Sequence, residues 1–254
     1  MYSIDLNCDL GESFGSWKMG LDKQIIPLIT SANIACGFHA SDPDVMAETV
    51  MIAKKANIAI GAHPGYPDLQ GFGRRFMDLT PKEVKNCIIY QLGALNAFAT
   101  VSGIKLQHVK PHGALYNVAG KDYDVALAIA EGIYSFDSSL ILLGLSGSKM
   151  LKAADEVGLK NVKEVFADRA YEEDGSLVSR KKEGAVITDE KIAVQRVIRM
   201  IKDGAVTAIT GKNIPIRADS VCVHGDNQKA LTFVKTIRKA FEEENIRIQP
   251  FGSR

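Results

Sequence analysis

The stretch "VKPHGALYN", Val109 to Asn117, decides the fold because it joins a strand to a polar turn. It begins at the end of an apolar run, Lys105–Val109, that is typical of a buried strand. Lys110 and His112 stand on either side of Pro111, and Gly113 lets the chain turn away or a ligand approach. The same succession of a short apolar run and a polar turn recurs along the chain.

Short apolar runs alternate with helical patterns, which is typical of a βα repeat with a mostly parallel sheet. The seven predicted strands are Ser3–Leu6, Ala32–Ala35, Ile58–Ala62, Lys105–Val109, Leu140–Leu143, Val162–Phe166 and Ser220–Val223. No Pro/Ser-rich linker, low-complexity tract or break in composition divides the chain. We therefore expect residues 1–254 to form a single α/β domain.

Several helix boundaries are also predicted. The segment Thr80–Glu83 combines a capping box with a proline at the first helical position, and Gly103 ends the helix that follows. Thr188 is expected to open a later helix. Asp42 and Asp226 are further candidates for N-cap residues.

The composition excludes several classes of protein. A formal net charge of +1 argues against a nucleic-acid partner, since such proteins usually carry a clustered basic excess. No apolar segment approaches the length of a membrane span, and the start "MYSIDLNCDLGE" is acidic where a signal peptide needs basic residues. The four cysteines form no CxxC pair and have no metal-ligand spacing, which is typical of reduced thiols. We expect a cytoplasmic protein with no nucleic-acid or membrane partner.

Polar side chains gather at the ends of the predicted strands. The histidines that lie in or just after a strand are His39, His63, His108, His112 and His224, and Asp9 and Glu12 follow the first strand. In a closed βα barrel these positions converge on the carboxyl-end mouth, where such barrels keep their chemistry. The pattern therefore predicts one polar site at the mouth.

Each of these residues also has a structural interpretation. His108 lies within its strand, and we interpret it as a core histidine. His39, His63 and His112 lie in loops beside glycine or proline, which favours a functional role. The first-strand carboxylates stay ambiguous, because one could cap a turn and the other could occupy the first turn of a helix.

Lys110 is predicted to direct its amine into the barrel mouth. A lysine normally extends to solvent, but Pro111 favours an extended backbone for the residue before it, at the end of the strand. The segment "KPHG" thus places a cation beside a proton-transfer group.

Longer motifs carry a resemblance to a known family. They are "DLNCDLGESFG", "SANIACGFHASDP", "IGAHPGYPDLQGFGRR", "VKPHGALYN", "EVFADRAYEEDGSLVSR" and "VHGDN". In order and across essentially the whole chain, they are similar to the LamB/YcsF family, identified as the A subunit of the prokaryotic 5-oxoprolinase complex. One departure is visible at Ser41, where the family usually has glycine.

The resemblance implies a distorted seven-stranded β/α (TIM-like) barrel of the glycoside hydrolase/deacetylase type. It also implies ATP-dependent opening of the lactam 5-oxo-L-proline to L-glutamate, with Mg²⁺ accompanying ATP and with two partner subunits, B and C. A lactam is a poor electrophile, and phosphorylation of its carbonyl oxygen would open the carbon to water. Since this activation needs no Lewis acid at the carbonyl, we expect no tightly bound transition metal.

The sequence gives little evidence for a nucleotide site. A Walker A loop requires GxxxxGK[ST], and both Gly144–Lys149 and Thr210–Asn213 miss that spacing. The first of these segments lies between a predicted strand and a helix, where backbone N–H groups could bind a phosphate. Nucleotide binding is therefore expected to be shared with, or supplied by, the partner subunits.

The candidate residues fall into two groups under this hypothesis. The catalytic group transfers protons, positions water and, through its lysine, stabilises developing negative charge; it consists of Asp9, His39, His63, Lys110 and His112. The substrate-binding group consists of Asn7, Glu12, Arg74, His224 and Asp226. Arg74 would pair with the substrate carboxylate. The polar segment Arg169–Glu183 has the composition of a lid, a partner-docking loop or a plain surface loop.

Two rival interpretations stay open. Asp9, His39 and His63 could hold zinc or a similar ion, as in a metal-dependent amide or carbohydrate hydrolase or deacetylase. Alternatively, the chain could be a non-catalytic binding or regulatory component whose mouth holds 5-oxoproline without transforming it.

Overall fold

The computed structural model describes residues 2–224 and 228–252. Its centre is a closed barrel of parallel strands, which confirms the predicted fold class. The seven barrel strands are β1 (Tyr2–Leu10), β2 (Ser31–Ala35), β3 (Ala59–His63), β4 (Leu106–Val109), β5 (Ile141–Leu145), β6 (Lys160–Phe166) and β9 (Ser220–Val223). Each of them contains or overlaps one of the predicted strands.

The barrel closes where the first strand pairs with the last. Asp5 and Leu6 of β1 lie in parallel register with Ser220 and Val221 of β9, while the opposite edge of β1 pairs with β2. The ring is distorted between β3 and β4, because the register shifts after Ile60. These pairings bring the carboxyl ends of all seven strands to one end of the barrel.

Three shorter strands lie outside the barrel ring and were not predicted. β7 (Ala205–Thr207) and β8 (Asn213–Pro215) form an antiparallel hairpin, and β10 (Ile246–Ile248) pairs with the start of β1. Each has only three residues, too few to give a periodic hydrophobic pattern.

Eight α-helices surround the barrel within the described residues. They are α1 (Asp22–Ile25), α2 (Pro43–Lys55), α3 (Pro81–Val101), α4 (Gly113–Lys121), α5 (Tyr123–Phe136), α6 (Lys149–Val157), α7 (Glu190–Lys202) and α8 (Gln228–Glu243), with a 3₁₀ turn at Ile26–Leu28. A search of the described helices finds none that is long and apolar enough to cross a membrane.

Two of the predicted helix starts are confirmed and one is wrong. Thr80 forms the capping box of α3, and Asp42 accepts two backbone N–H groups at the start of α2. The N-cap of α7 is Asp189 and not Thr188, because the Asp189 carboxylate accepts the N–H groups of the first turn. The proposed cap at Asp226 lies outside the described residues.

Alternation along β1 divides its side chains between two environments. Ile4, Leu6 and Cys8 are buried in the hydrophobic core, as the outward face of a barrel strand requires. Asp5 and Asn7, on the other face, are also buried but are hydrogen-bonded to other polar side chains. The interior of the barrel below the mouth is therefore a polar network, and it supports the charged groups above it.

Ser41 occupies a backbone conformation that favours glycine. Its φ is +76°, a left-handed conformation in which the Cβ crowds the backbone, and the residue is buried. We expect Ser41→Gly to raise the free energy of unfolding by about 0.5–1 kcal/mol, since removal of the Cβ relieves this strain. Denaturant titration of the isolated chain measures the change.

Ser102→Gly is the matched control for this prediction. Ser102 has an ordinary φ of −79° at the end of α3, so the same substitution gains nothing in the folded state and adds freedom to the unfolded chain. Equal effects of the two substitutions would show that the backbone at Ser41 carries no strain.

Candidate active site

A large cleft opens at the carboxyl end of the barrel. Its volume is about 1890 Å³, larger than the roughly 300–1,000 Å³ of typical small-molecule pockets. The predicted residues on its wall are Asp9, Glu12, His63, Arg74, Lys110, His112 and His224. The structure therefore brings most of the predicted site residues to one cavity, as the strand-end pattern indicated.

Lys110 is buried at the base of the cleft, and protein acceptors surround its ammonium group. Nζ lies 2.7 Å from Glu164 Oε1 and 3.0 Å from Asp9 Oδ1, and it donates to Asn7 Oδ1 at 3.1 Å. Although burial opposes its charge, these neighbours, chiefly Asp9, raise the pKa of Lys110 well above its ordinary value. The amine points into the mouth, but its donors are already used within the protein.

Asp9, at the end of β1, is held as an anion. Oδ1 accepts hydrogen bonds from Lys110 Nζ and from Asn33 Nδ2 at 2.8 Å, while Oδ2 lies 3.4 Å from His63 Nε2. Burial favours the neutral acid, yet the His63 and Lys110 side chains hold the pKa of Asp9 well below its ordinary value. Asp9 is thus a fixed negative charge beside a histidine.

Asn7 lies beneath this layer and does not line the cleft. Its amide donates to Ser220 Oγ at 2.8 Å, and its carbonyl oxygen accepts from Asn33 and Lys110. The substrate-binding role expected for Asn7 does not fit this position. The side chain instead positions Lys110.

His63 and His112 lie edge to face, and backbone carbonyls fix the tautomer of each ring. His63 Nδ1 lies 2.7 Å from the carbonyl oxygen of Lys110, and His112 Nε2 lies 2.8 Å from that of Phe72. A carbonyl oxygen can only accept, so each of these ring nitrogens carries a hydrogen. When the rings are neutral, His63 Nε2 and His112 Nδ1 both present lone pairs, and they face each other at 2.9 Å.

His39 is stacked on His112. The two rings are parallel within 2° at 3.7 Å, and His39 is fully buried. Neither ring nitrogen of His39 has a hydrogen-bond partner among the described residues; the carboxylate oxygen Glu12 Oε1 is 3.8 Å from Nε2. Burial lowers the pKa of both His39 and His112 well below the ordinary value, so both rings are neutral at physiological pH.

Glu12 reaches the same histidines from the loop after β1. Its Oε1 lies 3.7 Å from His112 Nδ1, and burial, followed by the charge of Asp9, raises the pKa of the Glu12 carboxyl. Glu12, His39, His63 and His112 together place one potential ligand atom each within 4.8 Å of one another. A substrate-binding role was predicted for Glu12 from the sequence, whereas the structure places its carboxyl group beside the histidines.

His108 lies deeper in the barrel and not in this group. It is fully buried, its Nε2 is 2.7 Å from Asn33 Oδ1, and burial lowers its pKa to about 3. Gly61 packs directly against the ring, where a Cβ would lie 2.2 Å from it. These contacts agree with its interpretation as a core histidine.

The other predicted binding residues lie further around the cleft. Arg74 is exposed and its guanidinium lies 5.0 Å from the centre of the Phe72 ring, with no ion pair to any described residue. His224 Nδ1 is 3.2 Å from Asp168 Oδ2, and although burial opposes the charge, Asp168 raises the pKa of His224. Asp226 lies outside the described residues.

Sequence reasoning missed two acidic residues of this region, Glu164 and Asp168. Glu164 is fully buried in β6 and binds both Lys110 and the hydroxyl of Tyr116, which donates to Oε2 at 2.6 Å. Asp168 pairs with His224. A signal for Glu164 was present, because it stands directly before Val165 and Phe166, and a charged residue in the buried part of a strand needs a buried partner.

Two further segments noted in the sequence, Gly144–Lys149 and Arg169–Glu183, also border the cleft. Residues 145–149 of the "GLSGSK" segment line it, at the start of α6, and so does most of residues 172–181. The longer segment is anchored through Tyr171 and Val178, which are fully buried. Its polar remainder faces the cleft, which is compatible with a lid or a docking loop.

The chain is similar to known proteins over nearly its whole length. The model of the LamB/YcsF family matches residues 4–254. A Clostridium beijerinckii protein named as the A subunit of 5-oxoprolinase is 65% identical over 250 residues, covering 98% of each chain. One of the same name from Pyrococcus abyssi is 58% identical over 247 residues, covering 97% of each.

A solved structure supports the fold. The crystal structure of a lactam utilization protein from Thermus thermophilus has a TM-score of 0.92 and 44% sequence identity, and the match covers 98% of this chain and 100% of that one. The barrel described above is therefore also found in an experimental structure.

Proposed function

The chain belongs to the LamB/YcsF family, and from this premise we propose that it is the A subunit of a 5-oxoprolinase complex. In this proposal it opens the lactam of 5-oxo-L-proline to L-glutamate while ATP is converted to ADP and phosphate, together with two partner subunits, B and C. The observation that carries the proposal is full-length similarity, at 56–65% identity, to relatives that bear the name of the 5-oxoprolinase A subunit. A cytoplasmic location stays a prediction.

The proposed reaction begins with phosphorylation of the lactam carbonyl oxygen by ATP, accompanied by Mg²⁺. Water then adds to the carbonyl carbon, the ring C–N bond breaks, and the nitrogen leaves as an amine after it gains a proton. The resulting acyl phosphate reacts with a second water to give glutamate and phosphate. These steps require a group that takes a proton from water and one that protonates the leaving nitrogen.

The histidines of the cleft have the properties of the proton-transfer groups. His112 Nδ1 carries a lone pair that points into the cluster, and burial, which lowers the pKa of His112, keeps this nitrogen unprotonated at neutral pH. Asp9 would stabilise positive charge on His63 after proton transfer, since Oδ2 lies 3.4 Å from Nε2. Because Lys110 is saturated with protein acceptors, we assign it the positioning of Asp9 rather than direct contact with substrate.

Arg74 is the candidate partner of the substrate carboxylate. It lies on the wall of the cleft, and it is exposed and not bound to a described acidic residue. Arg75, its neighbour, cannot serve this role because it is paired with Asp68. The guanidinium of Arg74 could bind a carboxylate through two parallel hydrogen bonds.

The nucleotide is proposed to bind at the outer part of the cleft or on one of the partners. The cleft is large enough for a second ligand beside 5-oxoproline, and Lys149, Arg180 and Lys181 on its wall could pair with phosphate oxygens. Ser148 begins α6 without a side-chain hydrogen bond to the helix, so its hydroxyl is free to turn toward a ligand. This chain alone has no Walker A loop.

The proposal predicts that activity depends on the partner subunits. We expect the purified chain, given 5-oxoproline and magnesium-ATP, to release little or no glutamate, because nucleotide binding is shared with, or supplied by, the partner subunits. Addition of the B and C subunits should start the formation of ADP and glutamate together, since phosphorylation and ring opening are coupled. Amino-acid analysis and a coupled ADP assay measure the two products.

Two outcomes would contradict this prediction in different ways. Glutamate formation by the isolated chain would show that its own cleft binds and uses ATP. No glutamate with all subunits present, together with ATP-independent hydrolysis of an N-acetyl sugar or another amide, would replace the proposal by a metal-dependent hydrolase.

A further inference from the structure

The facing ring nitrogens of His63 and His112 form a pair that a cation between them would stabilise. When both rings are neutral, each donates its only hydrogen to a backbone carbonyl, and two lone pairs then meet at 2.9 Å with nothing to attract them. Carboxylate oxygens surround this pair, with Asp9 Oδ2 3.4 Å from His63 Nε2 and Glu12 Oε1 3.7 Å from His112 Nδ1. Four electron-pair donors thus converge on one place.

We propose that Glu12, His63 and His112 bind a divalent transition-metal ion, with Asp9 as a fourth ligand. Metal–ligand bonds of about 2.0–2.2 Å place neighbouring ligand atoms roughly 2.8–3.6 Å apart in octahedral or tetrahedral sites. The three separations of 2.9, 3.4 and 3.7 Å are close to this range. Imidazole and carboxylate ligands suit zinc, manganese or iron(II).

The carbonyl contacts of the two histidines have the form found around bound metals. Metal-binding histidines almost always donate their second ring N–H to a carboxylate or carbonyl, which fixes the tautomer and the direction of the lone pair. Here the Lys110 and Phe72 carbonyls accept those hydrogens at 2.7 and 2.8 Å. Both rings are almost completely buried and held by these carbonyls, so their lone pairs already point toward each other without an ion.

The charge of the site favours a divalent ion over a shared proton. Lys110 lies 2.7 Å from Glu164, and these two opposite charges balance each other. Asp9 and Glu12 add two further carboxyl groups, both largely shielded from solvent, so the acidic side chains around Lys110 outnumber it. One proton on a histidine would satisfy the facing nitrogens but would add only a single positive charge beside these carboxyl groups.

His39 is excluded from the first set of ligands by its orientation. Its ring is parallel to that of His112 at 3.7 Å, so an ion in the plane of the His112 ring lies outside the plane of the His39 ring. A nitrogen lone pair lies in the ring plane, and His39 therefore cannot direct one at the same ion. Its proposed part is to hold the His112 ring by stacking.

The test of the metal site does not depend on the proposed reaction, but a bound ion would replace the proton-transfer role proposed for His112 Nδ1, because a lone pair that binds an ion cannot accept a proton. The site also revises the expectation of no tightly bound transition metal. That expectation came from the activation chemistry of a lactam, whereas the metal site is inferred from the positions of the ring nitrogens. The ion would supply Lewis acidity or bind water at the mouth. In either case the tautomers of His63 and His112 are set by this chain.

The test is metal binding by the tag-free, chelator-treated full chain. We expect Co²⁺ titration to show one site per chain with a visible spectrum of nitrogen and oxygen ligands, and Zn²⁺ or Mn²⁺ to compete for it. The bands of cobalt–thiolate bonds should be absent, because the nearby Cys222 is not a ligand. Binding should also raise the melting temperature of the chain, by an amount that grows with the logarithm of the ratio of free metal concentration to Kd.

Variants identify the ligands. His63→Ala and His112→Ala should each weaken Co²⁺ binding by more than the roughly 10–100-fold typical of residues that only orient a ligand. His224→Gln is the matched control: His224 lines the same cleft but pairs with Asp168, so its replacement should leave Co²⁺ affinity within about threefold.

Folding of each variant is checked by its unfolding transition before titration. Absence of a Co²⁺ site in the folded parent chain would overturn the proposal in favour of a shared proton, and so would retention of the site in His63→Ala. If the alanine variants do not fold, the titration of the parent chain still decides the question.

Discussion

Lys110→Met is expected to destabilise the chain by about 3–5 kcal/mol, because it leaves buried anions without a partner. Glu164 is fully buried at 2.7 Å from the Lys110 amine, and Asp9 lies on its other side at 3.0 Å. Methionine fills much of the same space, so the loss is one of charge and hydrogen bonds rather than of packing. Urea denaturation of the isolated chain, compared with the parent, measures the change.

Two controls test the cause of this effect. The double variant Lys110→Met/Glu164→Gln removes one of the stranded charges and should recover part of the lost stability. Lys85→Met breaks an ion pair of similar length, 3.1 Å to Glu131, between side chains that are 34% and 45% exposed, and should cost less than about 1 kcal/mol. Equal losses at Lys85 and Lys110 would show that the burial of the Lys110 pair is unimportant.

The same variant should also lose activity in the assembled complex. Lys110 holds Asp9 as an anion and donates to Asn7, so its loss frees the carboxylate that faces His63. We expect turnover to fall even at temperatures where the variant is folded. This separates the positioning of Asp9 from general stability.

The barrel could be predicted from the sequence because its strands are short, apolar and regularly spaced. All seven predicted strands lie in the barrel ring, and the polar residues that end them meet at one mouth, as parallel strands require. The β7–β8 hairpin and β10 could not be predicted, since three-residue strands are stabilised by tertiary packing rather than by their own pattern.

The composition of the site could be predicted, but the roles within it could not. Position after a strand identifies His63 and His112 as mouth residues, yet it does not show which ring nitrogen is free. That depends on the carbonyls of Lys110 and Phe72, which are backbone groups and leave no trace in residue identity. The position of Asn7 could not be predicted either, because its place in the register of β1 puts its side chain below the cleft.

Glu164 belongs to the site but was not predicted from the sequence. It lies within the strand "KNVKEVF" and not after it, so a rule based on strand ends passes over it. Its charge is tolerated because Lys110, just after β4, and Tyr116, on α4, contact it from positions far away in sequence. A long-range pair of this kind follows from the closed barrel, and the closure is visible only in three dimensions.

His112→Ala is expected to reduce glutamate formation by the reconstituted complex by about 10²- to 10⁴-fold, the usual contribution of a proton-transfer group. The substitution removes the Nδ1 lone pair that faces His63 and the contact with Glu12. ADP and glutamate are measured under saturating substrate, with assembly checked by size-exclusion chromatography.

This result would separate a catalytic role from that of a scaffold. Lys239→Ala, which breaks only an exposed ion pair with Glu243 on α8, is the control and should leave both assembly and turnover unchanged. If the chain only bound substrate, the assembled His112→Ala complex would instead keep full activity, since no reacting group would have been lost. Loss of assembly in His112→Ala would contradict the prediction in another way, because it would make the histidine cluster part of the contact between subunits rather than of the reaction.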